Sequence, residues 1–177
     1  MNTATGPSKK HVSLPIWRRA ILAAFRTRAI WTEQAARLCE GPCIVICNHG
    51  SMLDGPLLAL SSPIPMTYAV TPAYAIQNPW TRRGLAALSR MGLGRVIPLS
   101  QTHSLALRGL CAALQRGESV MIFPTGQIAP GPELAGYQWL HRKTGAPVYR
   151  VQISGADRSR LFADGGTRLW PEITVTI

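Results

Sequence analysis

An apolar run that ends in polar residues decides the fold: Cys43-Ile44-Val45-Ile46-Cys47-Asn48-His49-Gly50-Ser51-Met52-Leu53-Asp54. Its first five residues are all apolar and predict a buried strand. The following Leu57-Leu58-Ala59-Leu60 predicts the buried face of a helix over about 51–60. His49 and Asp54 therefore lie where a strand ends and a helix begins. Proteins of the α/β class often place binding and catalytic groups there, because backbone N–H groups and the helix dipole converge.

Strand and helix signals alternate along the rest of the chain. Apolar runs predict strands at 43–47, 66–70, 95–99, 119–123, 148–153 and 173–177. Helical periodicity, with proline or glycine at the ends, predicts helices at 51–60, 79–91, 102–115 and 133–143. Strands separated by helices predict an α/β fold. We expect a single domain in which helices flank a mixed, largely parallel sheet.

The N-terminal region predicts a tail and an amphipathic helix. Residues 1–12 are polar and predict a flexible tail, and 13–177 would form the domain, with a helix over 13–38. The apolar arc of that helix comprises Ile16, Trp17, Ala20, Ile21, Ala24, Trp31, Ala35 and Leu38. Arginines lie roughly opposite, although Arg28 interrupts the apolar arc. The pattern favours a helix in a membrane interface; the alternative is a helix packed on the domain with a solvated basic face.

The composition limits the partners. The chain has 177 residues, 46% hydrophobic content and a net charge of +11, which together indicate a globular protein with an anionic partner. Nucleic acid, anionic lipid and an acidic carrier protein all fit the charge. No nucleic-acid-binding motif is present, so no nucleic-acid partner is predicted. Arginines interrupt the N-terminal apolar stretch, so neither a signal peptide nor a spanning helix is expected. We expect a cytoplasmic protein that is peripheral on the cytoplasmic membrane face.

The cysteines predict neither a metal site nor a nucleophile. Cys39, Cys43 and Cys47 are spaced by four, which matches no zinc pattern, and Cys111 stands alone. We expect reduced, buried thiols and no metal. A cysteine hydrolase that uses Cys47 and His49 is disfavoured, because an apolar strand offers no reason for a lowered thiol pKa.

The spacing of His49 and Asp54 has two interpretations. If Asp54 accepts a hydrogen bond from one ring nitrogen of His49, the other nitrogen can take a proton from a substrate hydroxyl. Alternatively, Ser51 is a helix N-cap and the acid three residues later reaches back to it, as in a capping box. Both interpretations can hold at once.

Two further stretches are candidates for anion binding. The strand before Phe123-Pro124-Thr125-Gly126-Gln127 stops at a proline and turns through a glycine, which exposes backbone N–H groups. A plain strand-ending turn has the same signature. Arg95, in Gly92–Leu99, is a candidate phosphate ligand, and a merely solvated arginine is the alternative.

The three stretches together resemble the glycerophospholipid acyltransferase family of the 1-acylglycerol-3-phosphate type. Its first motif is a histidine, four residues and an aspartate, often with Asn before the histidine and Ser two after it. Asn48, His49, Ser51 and Asp54 match this motif. Its Phe-Pro-Glu-Gly motif is matched in part by Phe123–Gln127. The family's final block, apolar strand segments around a proline, is matched by 145–153. Segments 154–157 and 169–174 look most like the acyltransferase half of the bifunctional 2-acylglycerophosphoethanolamine acyltransferase/acyl-carrier-protein synthetase. The resemblance extends over about 15–177.

The resemblance implies roles for these residues. His49 would be the general base and Asp54 its orienting partner. Asn48, Ser51, Arg95 and the stretch Phe123, Pro124, Thr125, Gly126 and Gln127 would bind substrate. The acyl donor would be a thioester of coenzyme A or acyl carrier protein, the acceptor a lysophospholipid, and no bound cofactor would be needed. A separate acyl-carrier-protein synthetase is a further implied partner.

Two departures from the family pattern concern the acceptor site. Thr125 stands in place of the motif glutamate, and Gln127 replaces the usual basic residue or threonine. Ser100 stands where the second motif normally has an arginine. The expected function is transfer of a fatty acyl chain to a glycerolipid hydroxyl. The alternative is a catalytically altered lipid- or carrier-binding module on the same fold.

Overall fold

The computed structural model describes residues 13–70, 79–98, 103–126, 128 and 131–177. Its strands are β1 Thr27–Ile30, β2 Ile44–Cys47, β3 Met66–Val70, β4 Gly94–Pro98, β5 Ser119–Ile122, β6 Val148–Ser154 and β7 Ile173–Thr176. Its helices are α1 Ile16–Ala24, α2 Glu33–Arg37, α3 Asp54–Ser61, α4 Pro79–Arg90, α5 His103–Gln115 and α6 Gly136–Thr144, with a 3-10 turn at Ala156–Arg158. The predicted tail 1–12 lies outside the described residues.

The described strands form a seven-stranded sheet in the order β1-β7-β6-β2-β5-β3-β4. Every neighbouring pair is parallel except β6 and β7, which are antiparallel. The predicted α/β class, with a single mixed but largely parallel sheet flanked by helices, is confirmed.

Strand β2 lies in the middle of the sheet and is buried on both faces. Cys43, Val45 and Cys47 contribute to the core cluster that also contains residues of α1 and α3. Ile44 and Ile46 contribute to the opposite cluster, which α5 and α6 cover. A strand covered on both faces has no polar alternation, which explains the continuous apolar run.

The predicted helix over 13–38 is wrong. Helix α1 ends at Ala24, Arg26 adopts a left-handed backbone conformation with φ 49°, and the chain continues as strand β1. The strand forms because Thr27–Ile30 pairs with Ile173–Thr176 at the other end of the chain. Local periodicity contains no information about a partner so distant in sequence.

Helix α1 also differs from the predicted arrangement of its two faces. Arg18, assigned to a solvated basic face, is half-buried and donates from Nη1 to the carbonyl of Ser62 at 3.0 Å. Burial lowers the pKa of this guanidinium, and the nearby Tyr68 acts in the opposite direction. Leu22 is buried against the domain, whereas Ile16 and Ala20 face solvent. The helix packs on the domain through one side and leaves an apolar side exposed.

Candidate active site

The candidate site lies at the carboxyl edge of the sheet, where β2 and β5 end side by side. These strands are parallel, and Ile46 is in register with Ile122. The residues that follow each strand are therefore brought together. The rings of His49 and Phe123 stack with their centroids 3.8 Å apart and their planes 11° from parallel. Phe123 thus covers one face of the imidazole.

The imidazole of His49 contacts the carboxylate of Asp54. His49 Nδ1 lies 3.0 Å from Asp54 Oδ2. The His49 side chain retains 15% of its exposure and that of Asp54 only 1%. Among the described residues, none hydrogen-bonds to Nε2. The carboxylate therefore holds the ring through Nδ1, which is the contact that a base-and-orienter pair requires.

Backbone N–H groups hold the Asp54 carboxylate in place. Oδ2 accepts hydrogen bonds from Gly50 N at 2.7 Å and from Ser51 N at 2.8 Å, in addition to its contact with His49. Oδ1 is buried, and within the described part of the chain it has no hydrogen-bond partner. Helix α3 begins at Asp54 and its N-cap is Leu53, so the predicted capping box with Ser51 as the N-cap is wrong, although Asp54 does accept from Ser51 N.

Ser51 is enclosed by the turn. Its side chain is fully buried, its Oγ accepts from Leu53 N at 3.2 Å, and the same hydroxyl donates to the carbonyl of Phe162 at 3.1 Å. The structure does not expose Ser51 to a substrate. Its contacts hold the turn before α3 and attach a distant segment of the chain to that turn, and the substrate-binding role of Ser51 stays a prediction.

The side chain of Asn48, which follows β2, is hydrogen-bonded to the backbone of β6. Its Nδ2 donates to the carbonyl of Ile153 at 2.7 Å, and its Oδ1 accepts from Ile153 N at 2.8 Å. The amide thereby extends the pairing of β2 with β6 by one step. Both of its polar atoms are engaged, so these contacts favour a positioning role over the substrate contact predicted from sequence.

The predicted turn after β5 is present. Gly126 has φ 69° and its N–H donates to Phe123 O at 3.0 Å, which closes a tight turn. The carbonyl of Pro124 accepts from Leu134 N at 2.8 Å and so holds the turn against the start of the next segment. Thr125 lies within this turn, beside the stacked Phe123, whereas Gln127 lies outside the described residues.

Arg95 is not brought to the site. Through the strand registers it lies level with Thr67, Val120 and Ile44, at the amino ends of the strands. His49 is five residues further along from Ile44, which corresponds to roughly 15 Å along a strand. The nearest acid to Arg95 Nη1 is Glu118, at 3.9 Å. The structure therefore does not bring Arg95 and His49 together, since Arg95 lies at the amino ends of the strands, and a role of Arg95 in substrate binding stays a prediction.

One contributor to the site was missed from the sequence. The segment 155–172, between β6 and β7, returns to the turn after β2. The Phe162 carbonyl accepts from Met52 N at 2.9 Å as well as from Ser51, and a Cβ on Gly50 would lie 3.1 Å from Asp157 Cβ. No local pattern in 155–172 signals this contact, since it depends on where β6 ends relative to β2.

Cys47 is unsuited to nucleophilic chemistry. Burial, reinforced by the charge of Asp54, raises the pKa of this thiol far above its usual value. The thiol therefore stays protonated, in agreement with the sequence-based preference against a cysteine hydrolase. Among the described residues, no three His, Cys, Asp or Glu side chains converge as a metal site would require.

The fold and the paired His49 and Asp54 define an α/β protein with its candidate chemistry at the carboxyl edge of a parallel sheet. Residues 26–153 match the family model described as "Acyltransferase". This match covers more than half of the chain, and the protein belongs to the acyltransferase family.

A solved structure has the same fold. The crystal structure of the 1-acyl-sn-glycerophosphate (LPA) acyltransferase PlsC from Thermotoga maritima superimposes with a TM-score of 0.60 at 21% sequence identity. The similarity covers 90% of this chain and 68% of that one. No helix in the described ranges has both the length and the apolar character that crossing a bilayer requires.

Proposed function

We propose that this acyltransferase moves a fatty acyl chain from an acyl thioester to a hydroxyl of a lysophospholipid or related glycerolipid. The observation that carries the proposal is the contact of His49 Nδ1 with Asp54 Oδ2 at 3.0 Å, at the carboxyl edge of the sheet. Such a pair activates a hydroxyl and contains no nucleophile of its own. Direct attack by the acceptor is the reaction that these two residues serve.

The proposed reaction is a single acyl transfer. Nε2 of His49 takes the proton of the acceptor hydroxyl while its oxygen attacks the thioester carbonyl carbon. The carbon–sulfur bond then breaks, and the leaving thiolate recovers the proton from the imidazolium. The products are an ester and a free thiol. Asp54 stabilises the imidazolium through Nδ1, and its backbone hydrogen bonds keep it oriented throughout.

The co-substrates follow from the same proposal. The donor is an acyl thioester of coenzyme A or acyl carrier protein, so the chain's own side chains suffice without a resident cofactor. The acceptor belongs to a lipid, and the net charge of +11 suits an anionic membrane surface as well as an acidic carrier protein. We place the protein as peripheral on the cytoplasmic membrane face, with a separate acyl-carrier-protein synthetase as a further proposed partner.

One observation favours a second candidate function. The turn that holds Phe123 carries Thr125 where the family motif has a glutamate. A protein that keeps the His49–Asp54 contact but no longer recognises an acceptor would bind acyl thioesters or lipids without turnover. The two candidates differ in whether ester product forms.

The test is a panel of lysophospholipids incubated with acyl-coenzyme A or acyl carrier protein as donor. Ester product is followed by mass spectrometry and thiol release by absorbance. His49→Ala should lower the rate by about 10²- to 10⁴-fold, since it removes the general base. The matched control is His141→Ala on α6, an exposed histidine whose Nδ1 lies 2.9 Å from the Ala146 carbonyl.

Each outcome decides between the candidates. Ester formation that is lost in His49→Ala and kept in His141→Ala supports acyl transfer by the proposed base. An unchanged rate in a folded His49→Ala variant would refute the mechanism. Binding of lipids or thioesters by the parent protein without product, across the whole panel, would favour the binding module.

A further inference from the structure

The segment 155–172, here called the β6–β7 loop, lies beyond the family match, which ends at residue 153. It is nevertheless attached to the candidate site. Its Phe162 carbonyl accepts hydrogen bonds from Ser51 Oγ and Met52 N, at 3.1 and 2.9 Å. Any surface that the loop presents therefore has a fixed position relative to His49, three residues before Met52.

The β6–β7 loop makes hydrogen bonds within itself and to the end of α1. Arg160 N donates to the carbonyl of Arg168 at 2.8 Å, and Arg168 N donates to the carbonyl of Arg158 at 2.9 Å. The Trp170 indole donates to the carbonyl of Ala24 at 2.8 Å, and its ring stacks on Phe25 with centroids 5.9 Å apart. The loop thus forms one surface with the end of α1.

This loop exposes large apolar side chains that a water-facing loop has no need of. Leu161 is 53% exposed and Leu169 is 62% exposed. Trp170 and Met52 are also more than a third exposed. The backbone N–H of Arg160 donates to the carbonyl of Arg168. Leu161 and Leu169 are the residues that follow these two arginines, so the two leucines lie close together in the loop. Clustered apolar side chains beside an active site indicate an interaction surface rather than scattered surface residues.

The same loop carries arginines that are free to pair with an external anion. Arg158, Arg160 and Arg168 are exposed, and none of them makes an ion pair with another described residue. Asp157, Asp164 and Glu172 balance these three arginines, so the loop itself has no net charge, and Glu172 forms an ion pair with Arg26. The neighbouring segment 13–32 adds four arginines and no acid, so the combined surface is positive.

We propose that this surface, formed by the β6–β7 loop and the end of α1, docks on a phospholipid bilayer that contains anionic lipid. Leucine side chains enter the boundary of the hydrocarbon region, Trp170 lies at the level of the headgroups, and the arginines pair with phosphates. An acidic carrier protein would account for the arginines, but it gives no reason for two leucines that are more than half exposed.

Docking of this surface would bring His49 close to the membrane, because the loop contacts the turn after β2 through Phe162. The consequence for activity rests on the proposed function, because it requires a lipid acceptor. The docking itself does not, because the loop contacts involve no substrate. Binding to vesicles in the absence of any acyl donor therefore tests the docking independently of acyl transfer.

The experiment is sedimentation of the full chain with vesicles of phosphatidylcholine, with and without phosphatidylglycerol. The parent should bind the mixed vesicles more tightly than the neutral ones. Leu169→Ser should weaken binding to the mixed vesicles by about tenfold. Arg168→Gln should weaken it by about fivefold on anionic vesicles and leave binding to neutral vesicles unchanged.

Two matched controls keep the test specific. Leu105→Ser changes an exposed leucine of α5, which is 55% exposed, and Arg142→Gln changes an exposed arginine of α6. Both should bind vesicles within about twofold of the parent, since they lie outside the docking surface. His49→Ala should also bind as the parent does, which separates docking from catalysis.

Three results would overturn the proposal. The first is binding of Leu169→Ser and Arg168→Gln at the parent level, with circular dichroism showing both to be folded. The second is equal weakening by the control variants, which would indicate attraction by overall charge or apolarity alone. The third is unchanged vesicle binding together with weakened binding of purified acyl carrier protein by Arg168→Gln, which would assign the surface to a protein partner.

Discussion

Replacement of Asp54 by asparagine tests the geometry of the site most directly. The substitution keeps the size of the side chain and an oxygen that can accept from Gly50 N and Ser51 N. It removes the negative charge, which lies 3.0 Å from His49 Nδ1 in the parent. The turn should therefore form as before, while the imidazolium that develops during proton transfer loses its nearest counter-charge.

The size of the effect follows from the distance. Taking the imidazolium charge as centred about 4 Å from the carboxylate, the Coulomb energy is about 4 kcal/mol at an effective dielectric constant of about 20. Part of this is recovered, because the neutral amide still makes a dipolar contact. A loss of about 3–4 kcal/mol in the transition state corresponds to about a 10²- to 10³-fold lower kcat. The free energy of unfolding should fall by only about 1–2 kcal/mol, for exchanging a charged acceptor for a neutral one.

The assay compares steady-state acyl transfer and chemical denaturation for Asp54→Asn, Asp164→Asn and the parent. Asp164 is an exposed acid of the β6–β7 loop, so its neutralisation should leave kcat within about twofold. A folded Asp54→Asn variant with a kcat within about threefold of the parent would refute the orienting role of Asp54. A collapse of stability by more than about 4 kcal/mol would instead show that the carboxylate is chiefly structural.

Two further predictions concern neighbouring groups. Phe123→Leu should lower kcat by about 3- to 30-fold with little change in KM, since a stacked ring stabilises the cationic imidazole by about 0.5–2 kcal/mol. Phe123→Tyr keeps the ring and should retain most of the parent rate. A Phe123→Leu variant with the full rate would contradict the stacking role. Because its thiol pKa is raised, Cys47 should resist N-ethylmaleimide at pH 8 in the folded protein, whereas the exposed Cys39 should react. Mass spectrometry of labelled peptides measures both cysteines, and rapid labelling of Cys47 would reopen the cysteine mechanism.

The elements of the central fold were predictable because each carries its own signal. Strand β2 is apolar on both faces, which is the signature of a strand in the middle of a parallel sheet. Helix α6 was predictable from its periodicity and from Gly145, which adopts the left-handed conformation, φ 71°, that ends the helix. The contact of His49 with Asp54 was also deducible, since a strand-to-helix turn brings residues five apart together.

The parts that were not predictable depend on partners far along the chain. Strand β1 exists because it pairs with β7, some 146 residues later by the register of Thr27 with Ile173. The β6–β7 loop reaches the site for a comparable reason. The distance of Arg95 from His49 was not predictable either, because a sequence motif shows that a residue lies in a strand, but the strand register decides at which edge of the sheet it lies.

Two of the four residues that match the first motif, Asn48 and Ser51, make contacts within the protein. Both polar atoms of the Asn48 side chain are hydrogen-bonded to the backbone of Ile153. Ser51 is buried and bonded to the β6–β7 loop. Of the four matching residues, His49 is the one for whose second ring nitrogen no hydrogen bond to the described part of the chain is found. In the proposed function, recognition of the acceptor would then depend on groups outside this motif, among which the turn that contains Thr125 stays a candidate.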